Sequence, residues 1–293
     1  MMLVATTAIA TNPKEQALRS LNRLPPFSPV LNRLMATLAR EDVSFAKVAD
    51  LLEKDTVLSG NILALVNSAV YGRRGRVNSV RHAVSLLGVA KLKNAALSMS
   101  ITRLWNSIKT PPGWSMADFN QHSIATAMLS DMLCQLAPIT YPEGAFVGGL
   151  LHDLGKLLLA VGLPDVHEEI INLSLRKQQS RLSSEMEVLG FTHADLSGEG
   201  LRAWNLPEPI QLAVCYHHQI DKDPSPRPNG DFPLSYVISA ANGYVTQMGL
   251  PAQKGDIASE PKRDIFESLK ISGEVSRVLD EFHAEFEGIK GFF

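Results

Sequence analysis

The sequence predicts an all-α protein. Three observations carry that reading. Apolar residues in the periodic stretches recur at i, i+3, i+4 and i+7. No run alternates polar and apolar residues in the manner of a half-buried strand. Helix-start and helix-stop residues punctuate the stretches at short intervals. The chain has 293 residues, 45% hydrophobic, 20% charged and 6% aromatic, which suits a core-forming protein rich in Leu, Ala and Val. Its length allows one large domain or two modest ones.

The elements follow in order. In SPVLNRLMATLARED, Val30, Leu31, Leu34 and Leu38 form one stripe, with Ser28 and Pro29 as N-cap and first turn. SFAKVADLLEKD repeats the device: Ser44 caps, and Phe45, Val48, Leu51 and Leu52 make the face. TVLSGNILALVNSAVYG follows with Leu58, Ile62, Leu65 and Val66, and stops at Gly72. After the polar link RRGRVNS come VRHAVSLLGV and AKLKNAALSMSITRLW. KTPPGW then breaks the chain with two prolines and a glycine. A long helix is predicted from Ala117 to Gln135. The next is a buried helix through VGGLLHDLGK, on which Val147, Leu150, Leu151, Leu154, Leu157 and Leu158 recur. Further helices run through DVHEEIINLSLRKQ, LSSEMEVLGF, HADLSGEGLRAWN, PEPIQLAVCYHH and LSYVISAANGYVTQM. DKDPSPRPNGDFP, with four prolines, is a loop. A last amphipathic helix uses Val275, Val278, Leu279, Phe282 and Phe286. Because both halves show apolar faces, they are expected to pack as one cooperative unit.

Charge narrows the partners. The net charge of −2 gives no global attraction to nucleic acid or to an anionic membrane. Arg73, Arg74, Arg76 and Arg81 in GRRGRVNSVR offer a local basic patch, read first as a solvated connection, and nucleic acid is not an expected partner. Cys134 and Cys215 sit in apolar helical contexts, fit no metal spacing, and read as free thiols of a reducing compartment. MMLVATTAIA lacks the basic start of a signal peptide, and no stretch reaches the length of a transmembrane helix. The expected location is cytoplasmic.

The chemistry lies in the histidines. His152 and Asp153 are adjacent inside the apolar run, and burying such groups is costly unless they are hydrogen-bonded, paired or metal-bound. His122 falls early on the long helix, His193 opens a helix, and His217 and His218 close one. Neutral imidazole is the commonest transition-metal ligand. A carboxylate beside it suits Fe or Mn and can bridge two ions, an arrangement used in phosphoester hydrolysis. Lys156, one turn beyond His152, shares its face and is suited to neutralising a phosphate. His167, in the acidic run DVHEE, reads as a surface residue, as do His82 and His283.

FNQHS and GGLLHDLGKLLL resemble the HD superfamily of metal-dependent phosphohydrolases. The wider chain, from Leu24 to Val245, resembles the HDOD domain, the HD-related output domain of bacterial signalling proteins. LPPFSPVLNRL, DTVLSGNILALVNSAVYG, VNSVRHAVSLLGVAKLKN and FTHADLSGEGLRAWNLPEPI carry that resemblance, the second most specifically. It implies an HD-like helical bundle with an N-terminal helical subdomain. The corresponding spans are 22–110 for the subdomain, 111–250 for the bundle and 251–293 for a C-terminal helical extension. It also implies that His122, His152 and Asp153 match the superfamily's metal ligands. His193, His217 and His218 match the additional histidines of the HD-GYP relatives that hydrolyse cyclic di-GMP. Asp153 and Lys156 become the candidate catalytic pair.

Two departures weigh on activity. Asn242 stands where the superfamily carries its final Asp, and HHQIDKDPSP has Gln219 and no Gly-Tyr-Pro. The resemblance therefore implies a signalling output or adaptor module that keeps one or two divalent ions, of Fe, Mn or Zn. The alternative is a metal-dependent phosphohydrolase or cyclic-dinucleotide phosphodiesterase. No receiver, GGDEF or EAL-like segment is visible, so the expected partner is another signalling protein, with a nucleotide or phosphoester as a possible ligand. Asn67, in the NSAVYG signature, is expected to satisfy backbone groups at a helix end.

Overall fold

The computed structural model describes residues 12–37, 45–68, 71, 76–253, 256, 266, 269–271 and 273–293. Ser44, Leu38, Gly72, Arg73 and Arg74 lie outside the described residues. Among those described there are fifteen α-helices and no strand, only an isolated bridge between Ile139 and Phe232. The all-α expectation holds.

A first short helix, α1 (Pro13–Arg19), is followed by five that make the N-terminal half: α2 (Pro29–Ala36), α3 (Phe45–Leu52), α4 (Thr56–Val66), α5 (Val80–Leu87) and α6 (Val89–Asn106). Their starts are chemically marked. Ser28 caps α2 with Pro29 at its first turn, Asp55 caps α4, and Ser79 caps α5 through side-chain acceptors, each satisfying an otherwise orphaned N–H. Asn67 ends α4 as expected: its Nδ2 donates to the Leu63 and Val77 carbonyls, both at 2.7 Å, while its Oδ1 accepts from Val77 N at 2.8 Å. It thereby ties the helix end to the segment that leads into α5.

The second half is organised around α7 (Met116–Leu133), which is buried on nearly every side and carries polar Asn120, His122, Ser123, Thr126 and Ser130 inward. Against it lie α8 (Ala145–Leu151), α14 (Leu234–Gln247) and α15 (Val275–Ile289). A second layer holds α9 (Leu154–Gly162), α10 (Pro164–Lys177), α11 (Arg181–Leu189), α12 (His193–Ala203) and α13 (Glu208–Tyr216). One continuous apolar core runs from Leu24 to Ile289 and includes residues of both halves, among them Leu97, Trp105, Phe119 and Phe282.

Two expectations are corrected. The run through VGGLLHDLGK is not one helix, because α8 stops at Leu151, α9 starts at Leu154, and His152 and Asp153 occupy the break. Residues Pro142–Gly162 are also long and apolar enough, by length and composition, to cross a bilayer; 94% of that window is buried inside the fold, so the run serves as core. Cys134 and Cys215 are free thiols.

Candidate metal centre

Two glycines of VGGLLHDLGK bring the site together. A Cβ on Gly149 would stand 2.7 Å from the Ala127 Cα, so α8 presses its backbone against α7. A Cβ on Gly155 would stand 2.0 Å from the His193 carbonyl oxygen, so α9 presses equally closely against α12. Ser197 locks the second contact by accepting from Gly155 N at 2.7 Å and donating to His193 O at 2.9 Å. Only a residue without a side chain permits such approaches. They place His122 on α7, His152 and Asp153 at the α8–α9 break, and His193 at the start of α12 around one point. His217, the C-cap of α13, and His218 close the group.

Four of the five histidine rings are held from behind. His122 Nδ1–H donates to Leu250 O at 2.7 Å, His152 Nδ1–H to Gly149 O at 2.8 Å, and His217 Nδ1–H to Val214 O at 2.6 Å. His193 Nδ1 lies 2.6 Å from Glu185 Oε2, which also accepts from His193 N at 2.8 Å. Thr192 fixes the ring's starting point through a capping box with Asp195. Carbonyls only accept, so in neutral His122, His152 and His217 the inward Nε2 atoms carry the lone pairs.

Those lone pairs converge. The Nε2 atoms of His122 and His152 are 3.2 Å apart, and those of His193 and His218 are 3.1 Å apart. Asp153 links the two pairs. Its Oδ2 is 3.4 Å from the Nε2 of both His122 and His152, and its Oδ1 is 3.2 Å from His193 Nε2. The candidate ligand atoms fall into two neighbouring triads, His122–His152–Asp153 and His193–His217–His218. Facing lone pairs repel unless a proton or a cation stands between them. A proton is disfavoured on His122, whose pKa burial lowers to about 4, and burial pushes His217 and His218 well below their usual value, whereas His193 is raised and can supply a proton to its contact with His218. His217 Nε2 is also a buried nitrogen with no hydrogen-bond partner. The donor set fits one or two divalent ions, with imidazole nitrogens oriented by second partners in the usual manner of metal ligands.

Beside this neutral cluster lies an ionic one. Lys156 Nζ is 2.9 Å from Asp153 Oδ2 and 3.0 Å from Asp256 Oδ2. Arg181 donates from Nε to Glu185 Oε1 at 3.0 Å and from Nη1 to Asp256 Oδ1 at 3.3 Å. Burial pushes the three carboxyls up, but their cationic and imidazole neighbours prevail. His152 and Lys156 hold Asp153 well below its usual value. His193 and Arg181 bring Glu185 to about 2, and Lys156 and Arg181 bring Asp256 to about 2. Burial lowers His193, yet Glu185 and Asp153 outweigh it and its pKa is raised.

Of the residues singled out from the sequence, His122, His152, Asp153, His193, His217 and His218 meet at this point, and Lys156 adjoins it. Asn242 is half-buried on α14 and turns to its own helix, where Thr246 Oγ1 donates to its carbonyl at 2.8 Å. Thr246 Oγ1 also lies 3.4 Å from Asn242 Oδ1. Among the described residues no hydrogen bond joins Asn242 to the histidines. His167 corrects another expectation. It is 5% exposed and its ring lies 5.6 Å from that of Trp114, because it falls on the inward stripe of α10 with Ile170, Leu173 and Ser174. Arg81 pairs with Asp50 and Glu53 on the surface. Glu185, Arg181 and Asp256 are functional neighbours that the sequence did not single out.

The HDOD domain family model matches residues 24–220. The chain belongs to the HDOD family. A protein of Treponema pallidum (strain Nichols) is 23% identical over 215 residues, covering 70% of this chain and 39% of that one, so the chain spans well under half of that relative's length. Solved crystal structures share the fold, among them three with TM-scores above 0.7. An HDOD domain protein of unknown function from Geobacter sulfurreducens has a TM-score of 0.77 at 21% identity, over 96% of this chain and 98% of the other. A candidate signal transduction protein from Marinobacter aquaeolei VT8 has a TM-score of 0.72 at 20% identity, over 96% and 65%. A candidate phosphohydrolase from Shewanella amazonensis SB2B has a TM-score of 0.71 at 22% identity, over 94% and 97%.

Proposed function

We propose that this HDOD protein is a cytoplasmic signal-transduction output or adaptor module that holds one or two divalent ions (Fe, Mn or Zn) in a non-catalytic site and acts on another signalling protein. The observation that carries the metal is the convergence of Nε2 atoms, with Nδ1 protons committed behind them, onto both oxygens of Asp153. Bound there, such ions supply positive charge and Lewis acidity to a ligand oxygen. His122, His152 and Asp153 would hold one ion, and His193, His217 and His218 a second.

Two features support a non-catalytic role. The Asn242 amide supplies no negative charge where the superfamily pattern has Asp. Lys156, the cation suited to a phosphate, is already between Asp153 and Asp256. A phosphohydrolase remains the second reading, favoured by the two adjacent triads sharing one carboxylate.

The test is metal per chain by elemental analysis, beside product release from a generic phosphodiester with Mn or Fe supplied. Wild type is expected to carry metal, His152→Ala to carry less, and neither to turn over the ester. Equal metal in the two proteins removes the metal site; rapid hydrolysis by wild type replaces the first reading with the second.

A further inference from the structure

The chain leaves α14 at Gly249, whose φ of +89° turns it out of the helix, and then crosses the site. Three anchors hold that crossing. Leu250 O accepts from His122 Nδ1 at 2.7 Å. The Gln253 side chain pairs with the Ser115 backbone, donating to Ser115 O at 3.2 Å and accepting from Ser115 N at 3.3 Å. Asp256, whose N–H donates to Gln253 O at 3.1 Å, places its carboxylate between Lys156 on α9 and Arg181 on α11.

Asp256 is an imperfect occupant of this place. Each of its oxygens contacts one cation, and Arg181 keeps Nη2 buried with no hydrogen-bond partner on a side chain only 6% exposed. A guanidinium presents a planar fork of donors that suits phosphate as well as carboxylate. A phosphoryl group, with three oxygens or more, carries enough acceptors for Lys156 Nζ and both Arg181 Nη atoms. Removing Asp256 with nothing in its place would leave two buried cations short of a counter-charge, which is strongly unfavourable. The strap is therefore stable against spontaneous opening and open to exchange.

We propose that Lys156 and Arg181 form a phosphoryl-binding site that the chain's own Asp256 fills, so that a phosphate-bearing ligand and the strap of residues 250–253 and Asp256 compete for it. The inference deepens the proposed signalling role of this site. Displacing Asp256 loosens the segment that orients His122 through Leu250 O, which couples anion binding to the metal cluster.

The experiment uses the full chain, with inorganic phosphate and adenosine monophosphate as separate probes. In wild type, saturating probe is expected to speed hydrogen exchange of the amides in 250–256, and the stronger of the two shows whether the phosphoryl group is taken free or as an ester. Asp256→Asn is expected to bind the probe at least about tenfold more tightly, since a competitor that occupies the site nine-tenths of the time weakens binding by that factor. Arg181→Gln is expected to abolish binding. Unchanged exchange in wild type at saturating probe overturns the proposal, whether or not the variant folds, and so does equal affinity in wild type and Asp256→Asn. Each measurement is made with chelator and with Mn. Metal binding without any strap response sinks this inference alone; a strap response in a protein that binds no metal sinks only the metal reading.

Discussion

Gly155→Ala tests whether backbone contact between α9 and α12 builds the site. Gly155 is an ordinary helical position, so alanine by propensity alone should stabilise α9 by about 1 kcal/mol. The structure reverses that sign. The new Cβ would fall 2.0 Å from His193 O, 2.8 Å from its carbonyl carbon and 2.9 Å from its Cα, whereas ordinary contact begins near 3.4 Å. These are backbone atoms at the start of a helix, so no rotamer change relieves the clash. α12 must retreat by more than about 1 Å, and overpacking of this kind costs about 1–3 kcal/mol, occasionally more. The Gly155 N–Ser197 Oγ bond is strained with it, for about another 1 kcal/mol. The net expectation is a loss of about 2 kcal/mol, read as a lower urea midpoint at unchanged m. Metal content should fall too, since His193 moves away from Asp153. Gly60→Ala in α4 is the control: nothing lies within 4 Å of its Cβ, so it should gain up to about 1 kcal/mol. Gly155→Ala as stable as wild type, with its metal intact, would falsify the close-approach account.

Other perturbations test the remaining links. Glu185→Gln removes the carboxylate behind His193 and is expected to weaken metal binding about 10–100-fold; isothermal titration with Mn or Zn checks it, and unchanged affinity would detach Glu185 from the site. Stability of the metal-free chain should decline with acid in two windows. Buried His122 titrates near 4 in the fold but about 6.5 when unfolded, so the unfolded chain takes up protons first and stability drops from pH 6.5 towards 4. Glu185 and Asp256, both depressed to about 2, contribute stability above their ordinary values of 4.5 and 3.8 and lose it from there down to about pH 2. His193, raised in the fold, acts above the first window: its contribution is fully present below 6.5 and is lost as pH rises through its folded value. Denaturant melts across pH 3–7 that stay flat from 6.5 to 4 would contradict this assignment. Unfolding should be one cooperative transition, as one core spans both halves; separately stable fragments 22–110 and 111–250 would count against it. Asn242→Asp supplies the anionic ligand of the superfamily pattern and should raise metal per chain, and equal occupancy would put Asn242 outside the centre.

Legibility from sequence followed how local the cause was. The start of α2 was readable because Ser28 satisfies an N–H group three residues away; Asp55, Ser79, Ser115 and Thr192 cap their helices by the same local bond, although they were not singled out from the sequence. The histidines were readable because ionisable groups inside an apolar run demand partners. The break at His152 was not, since Leu150, Leu151, Leu154, Leu157 and Leu158 keep a helical period straight across it. His167 was hidden by its acidic neighbours, although Leu163, Ile170 and Leu173 share its stripe. α11 misleads most: it turns Arg181, Ser184 and Glu185 inward and leaves Met186 49% exposed, opposite to what hydrophobicity alone selects. Such an inverted face is reasonable only where buried charges have assigned partners, and those partners come from α12 and from Asp256, far away in sequence. Asp256 itself, in a polar stretch with no periodicity, carried no local signal.

The buried polar groups divide into two systems of different electrostatic character. His122, His152, His217 and His218 are imidazoles that add lone pairs without a fixed charge. Lys156, Arg181, Glu185 and Asp256 are two positive and two negative charges that cancel among themselves. Asp153 belongs to both, with Oδ1 towards His193 and Oδ2 shared between two imidazoles and the Lys156 ammonium. A cation arriving among the imidazoles draws on the same carboxylate that holds Lys156, which weakens the hold of Asp153 on that ammonium. Lys156 is then a better partner for a second anion. Metal occupancy and anion occupancy are in this way coupled through one residue, and by linkage each must strengthen the other to the same degree. Replacing Asp153 disturbs both systems at once and cannot separate them. His217→Ala removes an imidazole and leaves the charges in place, whereas Asp256→Asn alters the charges and the strap that orients His122, so comparing phosphate affinity with and without Mn in these two variants separates the coupling through Asp153 from that through the strap.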